Sequence, residues 1–246
     1  MKAVLDAVRR TGLAVLDLAL PSLCLVCGRR VYPTQLSGAF ICSKCEQLIE
    51  PIELPVCPVC GAAQTAPIGG RYCKRCPPRP LHFDMARAVV RYNEASAALV
   101  KAFKYERLTA IGHWIGNMMF LHARDYLPFA PDVVVHVPLH VSRRMRRGFN
   151  QAELIARRLC RLAGWRHEPQ ALVRVRPTPR QSFLSRAERE RNVRDAFAVV
   201  HDELIEGRTV MLIDDVFTSG SSAGECARML RLAGAARVIV YTFARA

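Results

Sequence analysis

Eight of the ten cysteines in this 246-residue chain fall into four C-x-x-C pairs: Cys24/Cys27, Cys42/Cys45, Cys57/Cys60 and Cys73/Cys76. A C-x-x-C turn puts two thiolates on one side of a metal ion, and two such turns complete a tetrahedron. Fourteen residues separate Cys27 from Cys42 and twelve separate Cys60 from Cys73, so the pairs group naturally as two couples. We therefore expect two structural four-cysteine zinc sites, the first four cysteines on one ion and the second four on another. Spacing alone does not exclude an interleaved pairing. Disulfides conflict with a chain lacking an export signal. A redox C-x-x-C comes singly after a strand, and four evenly paired knuckles suit zinc ribbons better than an iron–sulfur cluster. Small segments with little core use zinc to fold, so the expected role is structural. Cys160 and Cys226 lie within helical patterns and read as packing residues.

A second constraint lies near the other end. Val210 to Ile213 is an apolar run of the kind buried on both faces of a parallel sheet. Asp214 and Asp215 follow it, then Thr218-Ser219-Gly220-Ser221-Ser222. Ala223 to Leu232 reads as a helix with Gly234 placed to stop it. Small residues let backbone N–H groups close around a phosphate at a helix N-terminus. A carboxylate pair beside a phosphate makes sense when the ligand also carries hydroxyl donors, as a ribose does. An Asp pair that merely turns a loop is common, but this whole order of features is rare by chance.

The run resembles the 5-phosphoribosyl-1-diphosphate (PRPP) signature of type I phosphoribosyltransferases, with Ser219 and Ser222 where Thr is commoner. The resemblance implies that Asp214 and Asp215 hold the ribose hydroxyls and that Thr218, Ser219, Gly220, Ser221 and Ser222 hold the 5-phosphate. Mg2+ would accompany PRPP. Purine-salvage members usually have Asp at the position of Thr218, and its absence argues against hypoxanthine or guanine as acceptor.

Between these two regions, Pro77 to Pro80 punctuates the chain. The expected organisation is an amphipathic helix over 1–22, a double zinc ribbon over 23–80 and a phosphoribosyltransferase-like α/β domain with a parallel sheet over 81–246. Phe83 to Tyr92, Val133 to Val137, Ala171 to Val175, Ala196 to Val200 and Arg237 to Thr242 read as strands. Ala95 to Phe120 and Ala152 to Leu162 read as helices. Ser185-x-x-Glu188 has capping-box spacing, so a further helix should start near Arg186.

The net charge of +15 is concentrated: from Arg143 to Arg194 there are fifteen arginines, no lysine and four acids. Such a stretch predicts an anionic partner. A coding bias towards Arg explains which cation is used, not why the cations gather here. Arg143, Arg144, Arg146 and Arg147 follow the strand ending at Val137, in a loop expected to meet phosphate oxygens. Phosphoribosyltransferases hold pyrophosphate after this strand, which implies contacts from Leu139, His140, Arg143, Arg144 and Arg147. His136 reads as a packed residue.

The run V-P-L-H with R-x-x-R-G-F-N-Q, then Arg174, Thr178, Gln181, Leu184, Arg189 and Asn192, is similar to the ComF (GntX-like) family of competence-associated proteins. Those proteins join a double zinc ribbon to a phosphoribosyltransferase domain, and the resemblance covers nearly the whole chain. It implies a hood over the site, to which Gln181, Arg189 and Asn192 would belong. It also implies PRPP as ligand, single-stranded DNA and proteins of the competence machinery as partners, and DNA uptake as context. A phosphoribosyltransferase is the leading expectation, and a non-catalytic DNA-binding or PRPP-sensing module is the alternative. Asp6, Arg9, Arg10 and Asp17 interrupt the N-terminal apolar pattern, so neither an export signal nor membrane insertion is expected, and a cytoplasmic location follows.

Overall fold

The computed structural model describes residues 22–31, 40–66, 69, 73, 74, 76, 81–179 and 185–246. The helix expected before residue 22, the punctuation at Pro77 to Pro80, and Gln181 lie outside the described residues. In chain order the elements are α1 (Ser43–Glu46), β1 (Met85–Arg91), α2 (Glu94–Tyr105), α3 (Thr109–Tyr126), β2 (Val133–His136), α4 (Val141–Arg147), α5 (Gln151–Ala163), β3 (Leu172–Arg174), α6 (Arg186–Val193), β4 (Phe197–Val199), β5 (Thr209–Phe217), α7 (Ser221–Leu232) and β6 (Arg237–Arg245).

Strands that are apolar on both faces must be covered on both faces, and this decides the architecture. A parallel sheet of order β1-β6-β5-β2 forms the centre, with Ile213 opposite His136 on one side and Tyr241 on the other. On one face, Val134, Met211, Ile213 and Tyr241 pack with residues of α2, α3, α5 and the first cysteine cluster. On the other, Val133, Val135, Val210 and Leu212 pack with α7, the β3–β4 pair and the second cluster. The expected parallel α/β architecture behind cysteine ribbons is the one observed. The ribbons join the sheet through its edge: Ile52 N–H donates to Val89 O (2.9 Å), Arg91 N–H to Glu50 O (2.9 Å) and Ala86 N–H to Val59 O (2.6 Å).

Three local expectations are corrected. The single helix over 95–120 is two helices, because α3 folds back onto α2. The Phe103 ring occupies the space beside Gly112, where a built Cβ would lie 2.6 Å from it. Arg107, at the break, adopts φ +59°, and its guanidinium donates to Arg146 O across the gap (3.0 Å). The arginine loop after β2 is instead helix α4, capped by the His140 side chain and closed by Gly148 in the left-handed region. The segment around Phe197 does not extend the main sheet. It pairs antiparallel with β3, Phe197 opposite Arg174, and Phe197 and Leu172 are both buried in the cluster that includes α7. The capping box at Ser185 and Glu188 forms as expected and starts α6 at Arg186. Among the described residues no helix is long and apolar enough to cross a membrane.

Candidate functional site

Ligand crevices in open α/β sheets lie outside the carboxyl ends of the strands, and a cleft of about 580 Å³ is found there. Its walls come from the ends of β2 and β5, the starts of α5 and α7, the end of α2, and α4. Asp214, Asp215, Thr218, Gly220, Ser221 and Ser222 line it, together with Leu139, Arg143, Arg147 and Arg189. Residues far apart in sequence thus share one cavity.

Strand β5 runs through both acids to Phe217, so the carboxylates belong to the strand rather than to the loop after it. Neighbouring side chains on a strand point to opposite faces, and the pair separates accordingly. Asp215, 6% exposed, meets Lys104 at the end of α2, with Nζ 2.6 Å from Oδ2. Burial alone would lower the Lys104 pKa, but the Asp215 carboxylate overcomes this and raises it. Asp214 is partly open to the cleft yet crowded by protein. Burial, then the charge of Asp215, pushes its carboxyl up to about 7, against the opposing pull of Lys104 and Arg174. The Asp215 N–H donates to Asp214 Oδ1 (2.8 Å).

Beyond the acids, the chain turns at Gly220, whose φ of +75° suits glycine. A Cβ there would sit 2.7 Å from the Phe217 ring. Ser219 does not line the cleft. Its hydroxyl lies 2.8 Å from Ser221 Oγ and accepts a long bond from the Ser221 N–H (3.4 Å), which braces the turn from behind. Helix α7 starts at Ser221, so its first N–H groups face the bend.

The arginines divide. Arg143 donates to Thr178 O (2.8 Å) and stays in the cleft wall. Arg146, expected with its neighbours to meet phosphate oxygens, also lines the cleft. Arg144 turns away to Glu153 (3.2 Å), which Arg157 also holds. His140 caps α4 and does not line the cleft. Asn192 donates to Pro179 O (3.2 Å), so it braces the loop after β3 from outside. His136 is buried 3.3 Å from His167. Burial, then His167, lowers its pKa to about 3, so it is a neutral packed residue.

The cleft residues not singled out as site residues from the sequence include Lys104, Arg174, Gln151, Tyr92 and Tyr105. Arg174 and Gln151 stand inside the arginine-rich motifs, which was a usable signal. Arg174 lies over the Phe197 ring (5.0 Å) and donates to Thr178 Oγ1. Burial, then Arg143, lowers its pKa to about 10. Lys104 and the two tyrosines carry no local signal, because only the chain's path brings them to the acids.

The cysteines assemble as expected: Cys24, Cys27, Cys42 and Cys45 form one cluster, and Cys57, Cys60, Cys73 and Cys76 the other, with all sulfurs of a cluster within 4.8 Å. Four thiolates at about 2.3 Å around a tetrahedral Zn2+ stand about 3.8 Å apart. The observed Cys27–Cys42, Cys57–Cys76, Cys60–Cys73 and Cys73–Cys76 separations are 3.8, 3.6, 3.6 and 3.9 Å. The donor set therefore fits structural Zn2+. Arg245 reaches the second cluster, with Nη2 3.4 Å from Cys60 Sγ, while its guanidinium lies over the Phe217 ring at 4.8 Å. Cys160 and Cys226 are buried outside both clusters.

Comparison with known proteins agrees with this arrangement. The double zinc ribbon domain profile matches residues 15–77. The DNA utilization protein YhgH of Escherichia coli (strain K12) is 34% identical over 233 residues, covering 93% of this chain and 99% of that one. Competence protein F of Haemophilus influenzae is 29% identical over 211 residues, covering 84% and 90%. Among solved structures, the glutamine PRPP amidotransferase of B. subtilis aligns at 24% identity and TM-score 0.38, over 54% of this chain and 26% of that one. With parallel sheet, paired four-cysteine clusters and end-to-end kinship to YhgH, the chain belongs to the ComF (GntX-like) family.

Proposed function

We propose that the cleft binds PRPP with Mg2+ and that the protein transfers its phosphoribosyl group to a nitrogen nucleophile. One observation carries this reading: the Asp214–Asp215 pair and Thr218, Gly220, Ser221 and Ser222 of the bend line the same cavity as Arg143, Arg146, Arg147, Arg174 and Arg189. The bend would take the 5-phosphate, Asp214 and Asp215 the ribose hydroxyls, and the arginines the diphosphate. Mg2+ bound with the substrate would add charge neutralisation at the diphosphate. As the C1–O bond breaks, positive charge develops on the sugar beside two carboxylates, while the leaving diphosphate gathers negative charge beside guanidinium groups. Residues 81–246 would carry this activity, and the zinc ribbon over 23–80 would be structural. The setting we propose is the handling of DNA during competence, a reading supported by the names of the relatives, with the cytoplasm as the proposed location.

Calorimetric titration with Mg-PRPP, followed by a pyrophosphate-release screen of nitrogen acceptors, tests the reading. Saturable binding that disappears in the Asp214→Asn/Asp215→Asn double variant supports it, and normal binding by that variant overturns it. Binding without release under every acceptor would leave a PRPP sensor. Affinity for single-stranded DNA that falls steeply with salt and ignores the two aspartates would support a DNA-binding module instead.

A further inference from the structure

Gln151, the first residue of α5, lines the cleft and is 2% exposed. Its neighbours fix which way the carboxamide faces. The Arg147 guanidinium has only donors, so the atom it meets, 2.5 Å from Nη1, must be the carbonyl oxygen Oε1. Arg147 in turn lies 5.6 Å from the centroid of the Tyr105 ring, which closes that side of the cleft. The Gln151 Nε2 group is buried and has no hydrogen-bond partner among the described residues. Its neighbour Asn150 has both ends of its amide engaged, donating to Val137 O (3.0 Å) and accepting from the Ala152 N–H (3.0 Å). A buried donor left without an acceptor costs stability. Folding alone therefore gives no reason for Nε2 to be there, whereas a ligand acceptor does.

Arg143, Arg146 and Arg147 also line the cleft. An electron-rich oxygen of an oxyanion suits such surroundings better than a neutral carbonyl does. Resting on the PRPP reading above, we propose that Gln151 is a ligand-reading residue: its Nε2–H donates to a non-bridging oxygen of the diphosphate. Arg147 and Tyr105 are the positioning residues that hold its carboxamide in that orientation. The uncharged donor would separate diphosphate from a monophosphate seated at the Thr218–Ser222 bend, which would not reach α5.

The test uses the full zinc-loaded chain, titrated by calorimetry with Mg-pyrophosphate and, separately, with inorganic phosphate. Gln151→Met keeps the volume and removes both the Nε2 donor and the Oε1 acceptor of Arg147, and it should weaken pyrophosphate binding by about tenfold or more while leaving phosphate binding unchanged. Gln151→Glu keeps an oxygen for Arg147 and should lose pyrophosphate binding as well, which covers the case in which the Met variant folds poorly. Unchanged pyrophosphate affinity in either folded variant overturns the proposal, as does an equal loss for both anions. A parent protein that binds neither Mg-PRPP nor pyrophosphate would instead overturn the PRPP reading itself.

Discussion

Lys104 Nζ lies 2.6 Å from Asp215 Oδ2, at the junction of α2 and β5. The two neighbouring aspartates are therefore unlike: one is already neutralised by a lysine, and the other waits in the cleft. Removing one partner of a mostly buried pair leaves the other charge uncompensated. Lys104→Met should lower unfolding stability by about 3 kcal/mol, and adding Asp215→Asn should recover most of that. Urea unfolding of the two singles and the double measures this, and a loss below about 0.5 kcal/mol in the single would show a pair screened by solvent.

Asp214 makes the stability pH-dependent in a defined direction. Its folded pKa is raised from 3.8 to about 7, so the folded chain keeps a proton that the unfolded chain releases. Its contribution is therefore favourable at low pH and is lost as pH rises from about 4 to about 7. Asp214→Asn should raise the thermal midpoint by an amount that grows across this window and levels off beyond it. Each kcal/mol gained appears as roughly 2–4 °C for a chain of this size. The same variant should lose PRPP affinity, a trade of function against stability. Calorimetric scans from pH 5 to pH 8 decide the point, and a constant difference between variant and parent would reject it.

Gly220 is constrained twice, by a φ of +75° and by the Phe217 ring 2.7 Å from where a Cβ would stand. Gly220→Ala should cost about 1–3 kcal/mol and abolish inorganic phosphate binding. Phosphate titration of the folded variant checks this. Retained affinity would mean that the bend is not the phosphate seat.

Zinc analysis should return two ions per chain, one for each cluster. Cys42→Ser should remove one and Cys76→Ser the other. Arg245→Met should leave both ions in place but speed extraction from the second cluster by a chelator. That residue sits 3.4 Å from Cys60 Sγ, and loss of such outer contacts typically costs about 10–100-fold in metal affinity. Equal extraction rates for parent and variant would remove Arg245 from the metal's surroundings.

Features read over a few consecutive residues were legible without a structure. The C-x-x-C spacing predicted both metal clusters, because a knuckle's geometry is local. The apolar run before Asp214 predicted a buried strand, and Ser185 with Glu188 predicted a helix start, for the same reason. Where a contact crosses the chain, the reading stopped. Periodicity over 95–120 could not reveal that Phe103 and Gly112 press together and break the helix. Nothing near Lys104 announced Asp215, more than a hundred residues away.

Sequence by itself determined that this chain holds zinc in paired knuckles and carries a hydroxyl-lined bend after two acids at the end of a parallel strand. Tertiary structure decided which acid is neutralised, which arginines face the cleft, and that Gln151 is left with a buried donor to offer. Backbone geometry is set by neighbours a few positions away. Charge and hydrogen-bond partnership are set by whatever the sheet's closure brings within about 3 Å.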